Sequence, residues 1–274
     1  MAAQRLSDAW LGSDAWLGLM VGSSRLHWVW FDGTRLKSAW DMPHLDGEAI
    51  AALIHHQLDF KTLALLPEAL PPEANLPPPH LPLWFASVVP SQTELWHTYP
   101  NAHRIELGHI PIAGLYPTLG VDRALALWGA TQTLGAPMLV IDAGTALTLT
   151  GADGAARLVG GAILPGLQLQ MRSLHEHTVL PSLQTQDLIT LPSRWAVGTS
   201  EAIQSGILYT LLAGLQDFIA DWLRQFPGST IAITGGDRLL LFNLLQQRFP
   251  HLVAEVKLEA NLIFWGIQAV RKPY

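Results

Sequence analysis

The chain has 274 residues, 49% of them apolar and only 14% charged against a usual charged share of about 25%, which excludes disorder as its main state. Sixteen Lys and Arg against 22 Asp and Glu leave a net charge of −6, the wrong sign for bulk nucleic-acid binding. With no cysteine, disulfides, thiolate nucleophiles and thiolate metal sites are excluded as well.

The length suits two domains, and charge this sparse predicts an apolar patch shared with a second copy of the chain. Near the N-terminus the hexapeptide Ser7–Gly12 recurs at once as Ser13–Gly18, too short for a solenoid unit of ~20 residues or more. It reads as a local duplication in an extension. Trp16–Val21, Leu26–Phe31 and Leu36–Trp40 are apolar, aromatic-rich runs broken by Gly22-Ser23-Ser24 and by Asp32-Gly33, which predicts a three-strand antiparallel meander. Ile50–Leu58 predicts a short helix. Eight prolines from Pro67 to Pro90 exclude helix interiors and central strands, leaving Trp84–Val89 as the strand of that stretch.

From Val121 to Gly135 the periodicity is helical, followed by strands at Met138–Ile141, Ala146–Thr150 and Leu158–Leu164 and a helix at Leu167–His175. Glu201–Phe226 is a long helix, Thr230–Ile233 a strand, and Asp237–Arg248 and Asn261–Arg271 are helices. This order predicts two α/β halves of similar plan, 1–136 and 137–274, with 1–15 an extension and the last helix packing back on the first half. No stretch reads as a membrane span or signal peptide, which predicts a cytoplasmic protein without a membrane partner.

Three glycine turns follow strands in the second half. Ile141-Asp142-Ala143-Gly144-Thr145 offers close backbone amides, a hydroxyl and, in Asp142, a carboxylate for a cation or its water. Gly160-Gly161-Ala162-Ile163-Leu164-Pro165-Gly166 leads into a helix whose first amides are free for an anion. Thr234-Gly235-Gly236 is a backbone surface that a base or phosphate approaches closely. Each alone is ordinary turn chemistry; together they point to a nucleotide. Asp122, in the first turn of a helix, suits the dipole, whereas Arg123 beside it does not and is read as available to a ligand carboxylate or phosphate. In phosphoryl transfer one carboxylate is oriented to take the acceptor's proton, and Asp122 suits that part. The eleven histidines lack zinc-ligand spacing, and the eleven tryptophans are read as core and subunit contacts.

Pro117–Arg123 with Gly129-Ala130, Ile141–Thr148, Gly160–Gly166, Leu174–Pro181, Gly198-Thr199 with Gly206, and Thr234–Gly236 form an ordered set that resembles the type III pantothenate kinase (Bvg accessory factor) family. The resemblance implies two actin-like, ribonuclease-H-like α/β domains with a nucleotide cleft between them, in a homodimer. It implies ATP-dependent phosphorylation of pantothenate, the first step of coenzyme A synthesis, with Mg²⁺ and a monovalent cation, K⁺ or NH₄⁺. Carried over by motif, Asp122 is the general base, and Gly120, Arg123, Thr199 and Tyr116 line the pantothenate pocket. Gly144, Thr145 and Thr148 face the ATP phosphates, Gly235 and Gly236 border adenosine, and Asp142 holds the monovalent cation. The first motif departs from the family pattern Asp-x-Gly-Asn-Thr/Ser: here it is Met20-Val21-Gly22-Ser23-Ser24, where Gly22, Ser23 and Ser24 can still cradle phosphate. A thioether is a poor ligand for Mg²⁺. Met20 therefore keeps open an impaired member acting as a regulator or binding protein; a second alternative is an actin-like kinase with another acceptor.

Overall fold

The computed structural model describes residues 14–62, 70–72, 75–185, 188 and 190–271. The first copy of the duplicated hexapeptide lies outside them, and the second runs into β1 (Ala15–Val21). β1, β2 (Arg25–Asp32) and β3 (Arg35–Pro43) form the predicted antiparallel meander. Side chains alternate across it. Leu17, Leu19 and Val21 join Leu26, Trp28, Trp30, Trp40 and Met42 in one core face.

α1 (Gly47–His55) covers that face with Ile50 and Leu53, its start capped by Asp46, whose carboxylate accepts the Ala49 N–H at 2.8 Å. α2 (Pro90–His97) adds Trp96. Trp28 is the hub, edge-on to Phe60 and Trp96 at 5.1 and 5.3 Å and stacked on Trp40 at 6.1 Å. β4 (Leu83–Ser87) pairs with β1 and β5 (Ala102–Arg104) with β4, both in parallel. Neither α2 nor β5 was expected from the sequence. α2 opens on Pro90, the last proline of the rich stretch, which the first helical turn tolerates because its N–H would be unpaired there anyway.

The second half repeats the plan with β6 (Met138–Ala143), β7 (Ala146–Ala152) and β8 (Leu158–Pro165) as the meander and β9 (Thr230–Thr234) and β10 (Val256–Leu258) in parallel. The sheet orders are β3-β2-β1-β4-β5 and β10-β9-β6-β7-β8, so each half reads 3-2-1-4-5 in its own chain order. This duplicated α/β topology matches the actin-like fold that the resemblance implies. The helices are α3 (Val121–Leu134), α4 (Leu167–Glu176), α5 (Thr199–Gln225), α6 (Arg238–Arg248) and α7 (Leu262–Val270). Leu208, Leu211, Leu212, Leu215 and Ile219 of α5 and Leu241, Leu244 and Leu245 of α6 pack on Leu139, Ile141, Leu147, Leu149, Ile231 and Ile233. The three-to-four spacing of these leucines is the stripe that a helix buries.

By its contacts the chain divides into two compact units. One holds the described residues up to Ile110, Thr118–Asp122 and the residues from Ile267 on; the other holds Pro111–Pro117 and Arg123–Gly266. The division expected at Pro137 instead leaves α3 in the first half. From Arg123 on, α3 goes with the second unit, where it crosses α7 at Gly129 and Gly266. A Cβ on Gly129 would overlap the Leu262 carbonyl, and one on Gly266 the Leu125 carbonyl. Within the first unit, Gln268 donates to the Thr34 carbonyl at 2.9 Å, and Arg271 pairs with Asp14 and lies 5.0 Å over the Trp16 ring. Among the described residues no helix is long and apolar enough to cross a membrane.

Candidate active site

In the second unit, β6 and β9 run in parallel and end side by side, with Asp142 in register with Thr234. The carboxyl ends of parallel strands are where open α/β sheets take ligands. Across β7 the partner of Asp142 is Thr148, so these two predicted residues share one sheet face, opposite the face buried under α5 and α6. Gly144 and Thr145 form the turn between the strands, its Gly144 N–H donating to the Ala146 carbonyl at 3.2 Å.

Two other glycines are laid directly on that turn. Gly166, at the head of α4, donates its N–H to the Thr145 carbonyl at 2.9 Å, and a Cβ there would overlap the Gly144 carbonyl. Gly235, with φ +91°, sits where a Cβ would overlap the Ala143 carbonyl and press on Asp142 Oδ1. Gly236 is different: a Cβ there meets nothing within 4 Å. The turn after β6 thus has a wall of backbone, with one carboxylate and two hydroxyls set into it.

Asp237 closes this wall and was not singled out from the sequence, although it directly follows Thr234-Gly235-Gly236. Its N–H donates to the Ala143 carbonyl at 2.9 Å, and it lines a small cavity with Gly144, Leu147, Gly166 and Leu241. Burial raises its pKa above the ordinary 3.8. A carboxyl whose pKa rises on folding favours the fold most when protonated, so that contribution is full below the unfolded pKa and is lost as pH rises through the folded one. Asp237→Asn is therefore expected to raise the melting temperature at pH 7–8, with the gain shrinking to nothing in melts below about pH 4. A gain that persisted in acid would exclude this cause.

Arg123 is buried and held by its own unit. Nε donates to Thr150 Oγ1 at 2.9 Å, one Nη to the Leu149 carbonyl at 3.1 Å and the other to the Tyr116 hydroxyl at 3.3 Å. Gly161 permits this, since a Cβ there would overlap the Leu149 carbonyl and crowd the guanidinium. The sequence paired Arg123 with a ligand; the structure adds a strand and the exposed phenol of Tyr116. Thr150 was missed, although Thr148-Leu149-Thr150 carries the alternation that puts both threonines on one face. Thr199 is exposed at the first position of α5, and among the described residues no hydrogen bond links it to Arg123, Asp142 or Thr148.

In the first unit, Asp122 lies in the opening turn of α3 and folds back over Gly120, where a Cβ would overlap its Oδ1. Gly22, Ser23 and Ser24 form the β1–β2 turn, the two serines exposed, and the Gly22 N–H donates to the Arg25 carbonyl at 3.0 Å. His44 Nε2 donates to the Gly22 carbonyl at 2.8 Å. Met20 is 1% exposed, at the buried end of β1.

The donors near Asp142 are oxygen atoms, the kind that K⁺ and Mg²⁺ accept. Among the described residues no three His, Asp or Glu gather as a metal cage.

Residues 16–221 match the family model of type III pantothenate kinase. The chain is similar to a type III pantothenate kinase of Nostoc sp., 50% identical over 93% of this chain and 94% of that protein, and to one of Synechocystis sp., 42% identical over 93% and 90%. Among solved structures it is similar to a Baf family protein of Campylobacter jejuni, with TM-score 0.59 and 18% identity over 93% of this chain and 96% of that one. It is also similar to the activator of the 2-hydroxyisocaproyl-CoA dehydratase of Clostridium difficile, with TM-score 0.51 and 12% identity over 93% and 92%. At these identities the two structures bear on the fold alone.

Proposed function

The chain belongs to the type III pantothenate kinase family, whose members phosphorylate pantothenate at the expense of ATP, and we propose how its residues divide that work. The observation that carries the reading is the seating of Gly166 and Gly235 on the Asp142–Thr145 turn at the ends of β6 and β9. Such a backbone wall suits a nucleotide's phosphates. Gly144, Thr145 and Thr148 face the phosphates there, Gly235 and Gly236 border adenosine, and Asp142 holds a monovalent cation, K⁺ or NH₄⁺. Gly22, Ser23 and Ser24 contact phosphate from the β1–β2 turn.

Gly120, Arg123, Tyr116 and Thr199 receive pantothenate, with Arg123 already oriented by Thr150 and Leu149. Asp122 takes the proton of the pantothenate hydroxyl as its oxygen bonds to the γ-phosphorus; the bond from that phosphorus to the bridging oxygen breaks, and ADP leaves. Mg²⁺, when bound with ATP, neutralises phosphate charge. The rest of the catalysis is positioning.

The test is a coupled assay of the purified chain with ATP, Mg²⁺, K⁺ and pantothenate. Phosphopantothenate is expected, its formation depending on K⁺ or NH₄⁺; none at any metal concentration, with the fold intact, would overturn the reading. We also propose a cytoplasmic homodimer. Edge strand β8 supports this by exposing Val159 and Ile163 at 49% and 65%. Sedimentation at micromolar concentration is expected to give twice the mass of the chain, and a monomer there would refute the dimer.

A further inference from the structure

Met20 stands where the family pattern has a carboxylate, and the strands beside it offer another polar group. In the β1–β2 ladder Met20 is directly opposite His27, and in the β2–β3 ladder His27 is directly opposite Asp41. Directly opposed residues of antiparallel strands point to the same face. Met20, His27 and Asp41 therefore form one cross-strand row, on the face opposite that of Val21, Leu26 and Trp28.

The pair in this row has a definite geometry. His27 Nδ1 lies 2.7 Å from Asp41 Oδ1, and because a carboxylate only accepts, Nδ1 carries the proton. That bond fixes the ring and leaves Nε2 for another partner; among the described residues it has none. The Nε2–Cδ2 edge of the ring lies beside the β1–β2 turn, the two atoms 3.1 and 3.3 Å from where a Cβ on Gly22 would stand. The ring is partly exposed and so reachable by a ligand on the turn. A core histidine would have both nitrogens satisfied, whereas this one is held by a carboxylate with its free edge beside the turn.

We propose that His27, oriented by Asp41, contacts the ATP phosphates at the Gly22–Ser24 turn, one strand across from the uncharged Met20. This rests on the reading of that turn as phosphate-binding. In that contact the imidazolium form donates Nε2–H to a phosphate oxygen while Asp41 accepts from Nδ1–H. Asp41 is a positioning residue: it acts through the ring. Gly22 fits the same picture, because any larger residue would crowd His27 and the approach to the turn.

Calorimetric titration of MgATP without pantothenate, run beside steady-state kinetics, tests this. His27→Leu is expected to weaken MgATP binding and raise KM for ATP by about ten- to hundredfold, the range for a lost hydrogen bond to a charged group, leaving KM for pantothenate within about twofold. His27→Lys, which restores a cationic donor, is expected to recover most of the loss, and Asp41→Asn to fall between native and His27→Leu. A merely structural histidine would not be rescued by lysine. If His27→Leu melts without cooperativity, His27→Gln carries the same test with a several-fold loss. Native-like MgATP binding in folded His27→Leu or His27→Gln, or a lysine variant no better than the leucine one, overturns the proposal. A native chain that yields phosphopantothenate alongside such a result leaves the kinase reading standing. A native chain that yields none, but loses MgATP affinity on His27→Leu, overturns the kinase reading and keeps this one.

Discussion

Asp122→Asn is expected to lower kcat by about 10²–10⁴-fold, the usual contribution of a positioned general base, while MgATP binding changes little. The exchange keeps shape and removes only the ability to take a proton. Asp122 lies in the opening turn of α3, where the helix dipole suits a negative charge. The substitution forfeits some of that dipole interaction, roughly 0.3–1 kcal/mol, too little to unfold the chain. Coupled-assay turnover is the measurement, with calorimetry of MgATP as the control. Near-native turnover would refute the general-base role, and lost MgATP binding would mean that Asp122 serves the nucleotide instead.

Gly235→Ala is expected to have the largest effect on stability. At φ +91° an alanine pays the left-handed penalty of about 1–2 kcal/mol, and its Cβ also overlaps the Ala143 carbonyl, adding about 1–3 kcal/mol of overpacking. The sum, roughly 2–5 kcal/mol, corresponds to a fall of about 5–15 °C in melting temperature for a unit of this size. MgATP binding is expected to weaken too, because the same Cβ presses on Asp142 Oδ1. Gly236→Ala is the comparison: with open space around it, its melting temperature is expected to stay within about 2 °C of native. Equal melts for the two variants would contradict the close packing at Gly235.

The two glycines show how far the sequence reached. As Thr234-Gly235-Gly236 after a strand they are alike, two small residues where a ligand needs room. Their difference arises from what lies across from them, the Asp142-Ala143 segment about 90 residues earlier in the chain, and no local pattern carries that. Arg123 is a similar case. Its unsuitability for the helix dipole marked it as unusual, but its partners Thr150 and Leu149 are reached through the sheet. The missed α2 and β5 have a local cause: eight residues headed by proline and a three-residue strand are too short for periodicity to register.

By itself the sequence determined the kind of protein this is. Its apolar runs and glycine turns dictate two α/β halves, and its ordered motifs dictate the family, because both depend on residue type and spacing along the chain. Only the tertiary structure decided that both sheets share one strand order and that Gly235 lies on Asp142. It also decided that Met20 faces a His27–Asp41 pair across the strands. Those facts come from register and crossing between distant segments, where hydrogen-bonded ladders bring together residues that adjacency in the chain does not relate.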